Sequence, residues 1–143
     1  MSAQEPNSVS PRRRALLVVL PVVIAAGLAS RRWPEALPAV VAAYAGDILW
    51  AVMVYVLIAF VWGAAPSRVV ALWGLAVAFV VELSQTAHLP WLDMVRRHHL
   101  GALVLGQGFL WSDLACYAVG VAAAFLVDTA WQRRRRVLGG KRR

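Results

Sequence analysis

The sequence predicts an all-α membrane protein, a bundle of four transmembrane helices with an outer interfacial or re-entrant loop. Hydrophobic residues make up 61% of the 143 residues, and they fall into four long runs. Charged residues make up only 15%, whereas soluble domains carry about 25%. A chain of this length allows one domain. It cannot bury so much apolar surface in a water-soluble fold, so we expect the bilayer to be its solvent.

The first apolar run covers residues 15–29 and follows a polar segment that ends in Arg12, Arg13 and Arg14. We expect residues 1–14 to be a disordered, basic cytoplasmic lead. The run is short for a hydrocarbon core about 30 Å thick. Its basic start and small residues near Ser30 also fit a cleaved signal peptide. Both alternatives place the next loop outside the membrane.

The second and third runs cover residues 36–62 and 69–89, with a Gly- and Pro-containing turn between them. Pro90 should end the third helix, because proline disfavours helix at the residue before it. Residues 90–110 mix charges with glycines and hold no apolar stretch long enough to span. We therefore predict that this segment is an outer interfacial or re-entrant loop.

The fourth run covers residues 111–131 and opens with Ser112 and Asp113, either of which suits a helix N-cap. The membrane domain is thus predicted over residues 15–131. Residues 132–143 follow as a basic tail, which we expect to be disordered and cytoplasmic.

Lysines and arginines are unevenly divided between the two predicted sides. Three in the lead, one in the 63–68 turn and seven in the tail make eleven on one side, and four lie on the other. The richer side is cytoplasmic in membrane proteins, so both termini should be cytoplasmic. The net charge of +8 does not indicate nucleic-acid binding, because the arginines lie at the ends of apolar runs without interleaved aromatic residues.

Acidic residues inside the apolar runs are the main functional signal. An ionised acid at a helix centre costs about 2.5–3.5 kcal/mol, so such residues should face the bundle interior or a water-filled cavity. Helical periodicity places Glu82 and Gln85 on one face, while the inner half of the bundle is nearly pure Ala, Val and Leu. We therefore predict one outward-facing pocket, with these candidates: Asp47, Glu82, Gln85, His88, Arg96, Arg97, Asp113 and Tyr117.

Most of these candidates also have a purely structural interpretation. Glu82 with Gln85 fits interhelical hydrogen bonding, Asp113 fits a helix cap, and the two loop arginines fit a solvated anchor. A zinc site would have to draw on His88, His98, His99, Glu82 and Asp113. No HExxH, GxSxG or phosphate-binding loop motif occurs. We expect no metal and no cofactor.

Several short motifs together resemble a bacterial membrane family known as domain of unknown function 2809. They are Gly46-Asp47-Ile-Leu-Trp50-Ala51 with Tyr55, Glu82-Leu-Ser-Gln85, His88-Leu-Pro-Trp91-Leu-Asp93, Arg96, Leu103-Val-Leu-Gly106, Gly108-Phe-Leu-Trp111-Ser-Asp113, Tyr117 and Gly120. The order of acids, glutamine and arginine is also similar to VanZ-like membrane proteins, whose last helix usually carries Asn where this chain has Tyr117. The resemblance implies a bacterial cytoplasmic membrane and names no reaction.

Two function classes follow from these features. In the first, the pocket binds or processes an anionic envelope or lipid-linked molecule, with Arg96 or Arg97 holding a phosphate. In the second, the chain is a structural or accessory subunit of a larger membrane complex, since it is small and has pairs of small residues suited to helix packing. The expected partners are the lipid bilayer, an anionic lipid or phosphate-bearing ligand, and a membrane-protein partner or second copy.

Overall fold

The computed structural model describes residues 10–87, 89–106 and 108–140, and within them the chain is helical, with no strand. The elements are α1 (Pro11–Arg32), a 3-10 turn (Pro34–Ala36), α2 (Ala39–Val61), α3 (Ser67–Ser84), α4 (Pro90–Arg97), α5 (His99–Leu105) and α6 (Trp111–Gly140). The four helices α1, α2, α3 and α6 are long and apolar enough to cross a membrane. The predicted four-helix membrane bundle is therefore confirmed.

Helix α2 lies at the centre of the bundle and packs against α1, α3 and α6. The backbones of α2 and α6 approach closely at Gly120, where an added Cβ would collide with the carbonyl oxygen of Ile48 and lie 2.9 Å from the Cβ of Ala51. Glycine permits such an approach because it has no side chain. The outer faces of the helices carry exposed Leu and Val side chains, as contact with lipid requires.

The two ends of the bundle differ in the elements that they contain, and we call them the loop end and the tail end. The loop end holds α4, α5 and the chain ends of α1 and α3 that lie next to them. The tail end holds the start of α1, the turn between α2 and α3, and the last turns of α6. The arginines of the described residues follow this division, since Arg12–Arg14, Arg68 and Arg133–Arg136 belong to the tail end.

The outermost helices are longer than the apolar runs that predict them. Helix α1 begins at Pro11, with the hydroxyl of Ser10 accepting a hydrogen bond from the Arg13 amide at 3.3 Å. Residues 11–14 are therefore helical, in contrast to the predicted disordered lead. Helix α6 likewise continues to Gly140, through most of the segment expected to be a disordered tail.

The third helix is shorter than predicted, since it ends at Ser84 rather than near residue 89. Arg96 makes this end possible by donating to the carbonyl oxygens of Ser84 at 2.7 Å and Ala87 at 3.3 Å. A guanidinium there also complements the partial negative charge of a helix C-terminus. Helices α4 and α5 have only 8 and 7 residues, too few to cross a core of about 30 Å.

Candidate functional site at the loop end

A cavity of about 450 Å³ opens at the loop end among α2, α5 and the start of α6. We call it the loop cavity. Its walls include small residues of α2 and the glycines that follow α5. Its polar lining consists of Arg31, Asp47, Gln85, His99, Asp113 and Tyr117. Four of the predicted pocket residues, Asp47, Gln85, Asp113 and Tyr117, therefore lie together.

Asp47 is paired with Arg31, a residue that the sequence analysis assigned only to the connection after the first helix. The Arg31 guanidinium donates to Asp47 at 2.8 Å. Arg31 reaches α2 by lying across Gly46, where an added Cβ would be 2.6 Å from the Arg31 Nε. The sequence predicts Arg31 and Asp47 at the same end of the bundle, and this shared location is the feature from which the ion pair could have been predicted.

Glu82 lies directly behind the cavity and is fully buried, with 0% of its surface exposed. One carboxylate oxygen accepts from the Leu110 amide at 2.9 Å. The other accepts from the Gln85 side-chain amide at 2.8 Å and from the Tyr117 hydroxyl at 3.1 Å. Glu82 thus ties the end of α3 to the loop and to α6, and it positions two of the residues that line the cavity.

Gln85 continues this network to the loop backbone. Its side-chain oxygen accepts from the Gly108 amide at 2.8 Å, while its side-chain nitrogen donates to Glu82. The loop comes this close because Gly106, which follows α5, has φ +70° and leaves room for the Gln85 amide. The returning loop is therefore held at the end of α3 where it began.

Asp113 lies in the first turn of α6 rather than at its N-cap, because the helix already begins at Trp111. Its carboxylate accepts from the Ser112 hydroxyl at 3.1 Å. The partial positive charge of the helix N-terminus favours a carboxylate at this position. Asp113 and Asp47 thereby give the loop cavity two acidic side chains on different helices.

A second, mainly apolar space of about 210 Å³ adjoins the loop cavity between α1, α2 and α5. We call it the apolar groove. The two spaces share five lining residues: Arg31, Gly46, Trp50, Leu103 and Val104. Trp50 packs against Tyr117 with ring centroids 5.1 Å apart. Its indole N–H is buried and has no hydrogen-bond partner among the residues described.

The remaining pocket candidates lie elsewhere. Arg96 is buried against the carbonyl oxygens at the end of α3 and Arg97 is exposed, and neither lines the loop cavity. His88 lies outside the described residues. Within the described part of the chain, no group of three His, Cys, Asp or Glu side chains is placed to hold a metal ion.

A further charged cluster lies at the tail end, where the sequence predicts an interior of nearly pure Ala, Val and Leu. Arg12 donates to both carboxylate oxygens of Asp128, at 3.2 and 2.6 Å. Asp128 also accepts from Tyr55 and Ser67, each at 2.8 Å, and from Gln132 at 3.1 Å. The tail-end interior is therefore not purely apolar. The sequence does contain a hint of this cluster. An acid near the end of the fourth run, Asp128, and the arginines at the start of the first run are predicted at the same end of the bundle.

Residues 36–121 match the family model described as "Protein of unknown function (DUF2809)". The match covers more than half of the chain and includes every residue that lines the loop cavity except Arg31. The resemblance to this family is confirmed, while similarity to VanZ-like proteins stays a prediction. No solved structure matches the chain.

Proposed function

The chain belongs to this family of unknown function, DUF2809, and we propose that this member binds an anionic lipid-linked molecule at the loop end. The observation that carries the proposal is the junction of a polar cavity with an apolar groove. An amphiphile presents the same two surfaces, a polar head and an apolar chain. The head would lie in the loop cavity and the first part of the chain in the apolar groove.

Arg31 supports an anionic linkage between head and chain, since it lines both spaces. The phosphate of a lipid-linked molecule lies where its chain ends and its head begins, which is the position of Arg31 between the two spaces. Guanidinium groups bind phosphates through paired hydrogen bonds. This role, assigned from the sequence to Arg96 or Arg97, thus moves to Arg31.

The other polar groups suit a head that carries hydroxyl or amide groups. Asp47 and Asp113 offer hydrogen-bond acceptors. These groups stand on α2 and α6, which pack tightly against each other. Such a pre-formed arrangement reduces the ordering cost of binding.

Binding is tested with a polyprenyl phosphate and the matching polyprenol, which differ only in the phosphate. Native mass spectrometry of the detergent-solubilised protein would measure both affinities. Hydrogen bonds to charged groups contribute about 1.5–3 kcal/mol, so the phosphate should bind about tenfold to hundredfold more tightly. Arg31→Gln should remove this preference.

Two controls separate charge from position. Arg32→Gln removes the neighbouring exposed charge, which lines neither space, and should retain the preference. Asp47→Asn releases Arg31 from its ion pair and should also retain it. A preference that survives Arg31→Gln would contradict the role of Arg31. If the unmodified protein binds neither compound, the accessory-subunit alternative replaces the proposal.

A further inference from the structure

A second combination of a polar cavity and an apolar groove occurs at the tail end. The cavity, of about 370 Å³, lies between the start of α1, the turn after α2 and the last turns of α6. We call it the tail cavity. Its charged lining comes from Arg12, Arg135 and Arg136, and no acidic residue lines it. It therefore suits an anionic group.

An apolar groove of about 340 Å³ leads away from the tail cavity between α1, α2 and α6. We call it the tail groove. Its walls are mostly Ala, Val and Leu side chains, and it shares Arg12 and Trp131 with the tail cavity. The two spaces therefore meet at an arginine and a tryptophan, a residue type that is enriched at membrane–water interfaces.

The cations that remain for a ligand are Arg135 and Arg136. Arg12 is committed, because its guanidinium donates to Asp128 and to the carbonyl oxygens of Gly63 and Ala65. Arg135 and Arg136 are exposed. The guanidinium of Arg135 stacks over the Trp131 ring, 4.6 Å from its centroid, which holds one charge beside the mouth of the groove.

We propose that the tail end is a binding site for an anionic phospholipid, separate from the proposed site at the loop end. The lipid phosphate lies in the tail cavity against Arg135 and Arg136, and one acyl chain lies in the tail groove. Charge complementarity selects an anionic head, and the apolar groove, whose lining includes the exposed side chains of Val19 and Val127, selects an acyl chain. General attraction of a basic tail to a membrane would need no such groove.

Helix α6 supplies a matched control for this distinction. The tail cavity is lined by Trp131, Gln132, Arg135 and Arg136, which recur with helical spacing on one face. Arg133 and Arg134 are also exposed but do not line it. The double variants Arg135→Gln/Arg136→Gln and Arg133→Gln/Arg134→Gln therefore lose the same charge from the same helix and differ only in position.

The experiment measures binding of a palmitoyl-oleoyl phosphatidylglycerol and the matching phosphatidylcholine by native mass spectrometry of the full chain in detergent. The unmodified protein and Arg133→Gln/Arg134→Gln should prefer phosphatidylglycerol. The Arg135→Gln/Arg136→Gln variant should bind it about tenfold less tightly, the effect of losing roughly one charged hydrogen bond. Equal losses in both double variants would show nonspecific attraction and overturn the proposal.

The acyl-chain part is tested with Ala123→Leu, which places a larger side chain in the tail groove. Ala122→Leu adds the same side chain at an exposed neighbouring position that does not line the groove. Phosphatidylglycerol binding should fall in the first variant and persist in the second. Equal binding in the two variants would overturn the placement of the acyl chain. This outcome does not depend on polyprenyl phosphate binding at the loop end, so the two proposals can fail separately.

Discussion

Glu82 is a buried acid whose three hydrogen-bond partners are all neutral donors: the Leu110 amide, the Gln85 amide and the Tyr117 hydroxyl. No ion pair in the described residues includes it. A carboxylate matches this set because both of its oxygens accept. The side chain at this position must therefore offer two hydrogen-bond-accepting oxygens in addition to having the shape of glutamate.

Glu82→Gln should consequently destabilise the protein although the two side chains have the same shape. One carboxylate oxygen becomes an NH₂ group that faces donors, and a buried group left unsatisfied costs about 1–3 kcal/mol. Thermal unfolding in detergent would measure the loss. Glu35→Gln, at an exposed acid of the 3-10 turn, should change stability by no more than about 0.5 kcal/mol. Equal melting temperatures for the two variants would contradict the assigned network.

Arg12 and Asp128 form a buried ion pair whose remaining hydrogen-bonding groups are also satisfied. Removing one partner leaves the other charge buried and should cost about 3–5 kcal/mol. Arg12→Gln and Asp128→Asn should therefore each destabilise strongly, whereas the double variant should lose much less than their sum. A double-mutant cycle of unfolding free energies measures this coupling. Additive losses would mean that the two charges act independently.

The sequence predicts some of these residue-scale contacts and not others. Glu82 and Gln85 are three positions apart, so helical periodicity brings them together. Arg12 and Asp128 are 116 positions apart, and no local pattern relates them. Arg31 was also missed as a cavity residue, because charge counting assigns it to a side of the membrane without saying which helix its side chain crosses.

At the scale of elements, hydropathy locates all four long helices, since only helices of sufficient apolar length can span a bilayer as isolated segments. It does not locate their ends. Helix α1 starts earlier than predicted because Arg12 has a buried partner. Helix α3 ends earlier because Arg96 donates to the carbonyl oxygens of its last residue, Ser84, and of Ala87 beyond it. Each end depends on a tertiary contact that the local sequence does not contain.

The turn after α5 depends on a glycine. Gly106 has φ +70° and ψ 178°, a region essentially restricted to glycine, where other residues pay about 1–3 kcal/mol. An added Cβ would also lie 2.6 Å from the Gln85 side-chain nitrogen. Gly106→Ala should therefore lower the melting temperature and weaken binding of the polyprenyl phosphate.

Gly108→Ala is the matched control for this turn. A Cβ at Gly108 would meet no atom within 4 Å, so both stability and binding should stay close to those of the unmodified protein. If Gly106→Ala is as well tolerated as Gly108→Ala, the positive φ of Gly106 does not shape the loop cavity.

For the molecule as a whole, the helix order places both described chain ends at one end of the bundle. The connection between α3 and α6 returns to its starting point, because Gly108 and Leu110 donate to Gln85 and Glu82 at the end of α3. Residues 90–110 thus enter and leave at the loop end. With an even number of spanning helices, the two described chain ends share a side, and the excess of arginine at that end predicts that the side is cytoplasmic.

Cysteine labelling of intact cells tests this orientation in a Cys116→Ala background. Met94, Leu110 and Val137 are exposed apolar side chains, at 63%, 58% and 63%, and replacing each by cysteine leaves the charge distribution unchanged. A membrane-impermeant maleimide should label positions 94 and 110 from outside, because both belong to the loop end. It should label position 137 only after the cells are permeabilised. Labelling of 94 and 110 from opposite sides would mean that the loop crosses the membrane. Labelling of 137 from outside would invert the orientation and place the loop cavity on the cytoplasmic face, where an envelope ligand could not reach it.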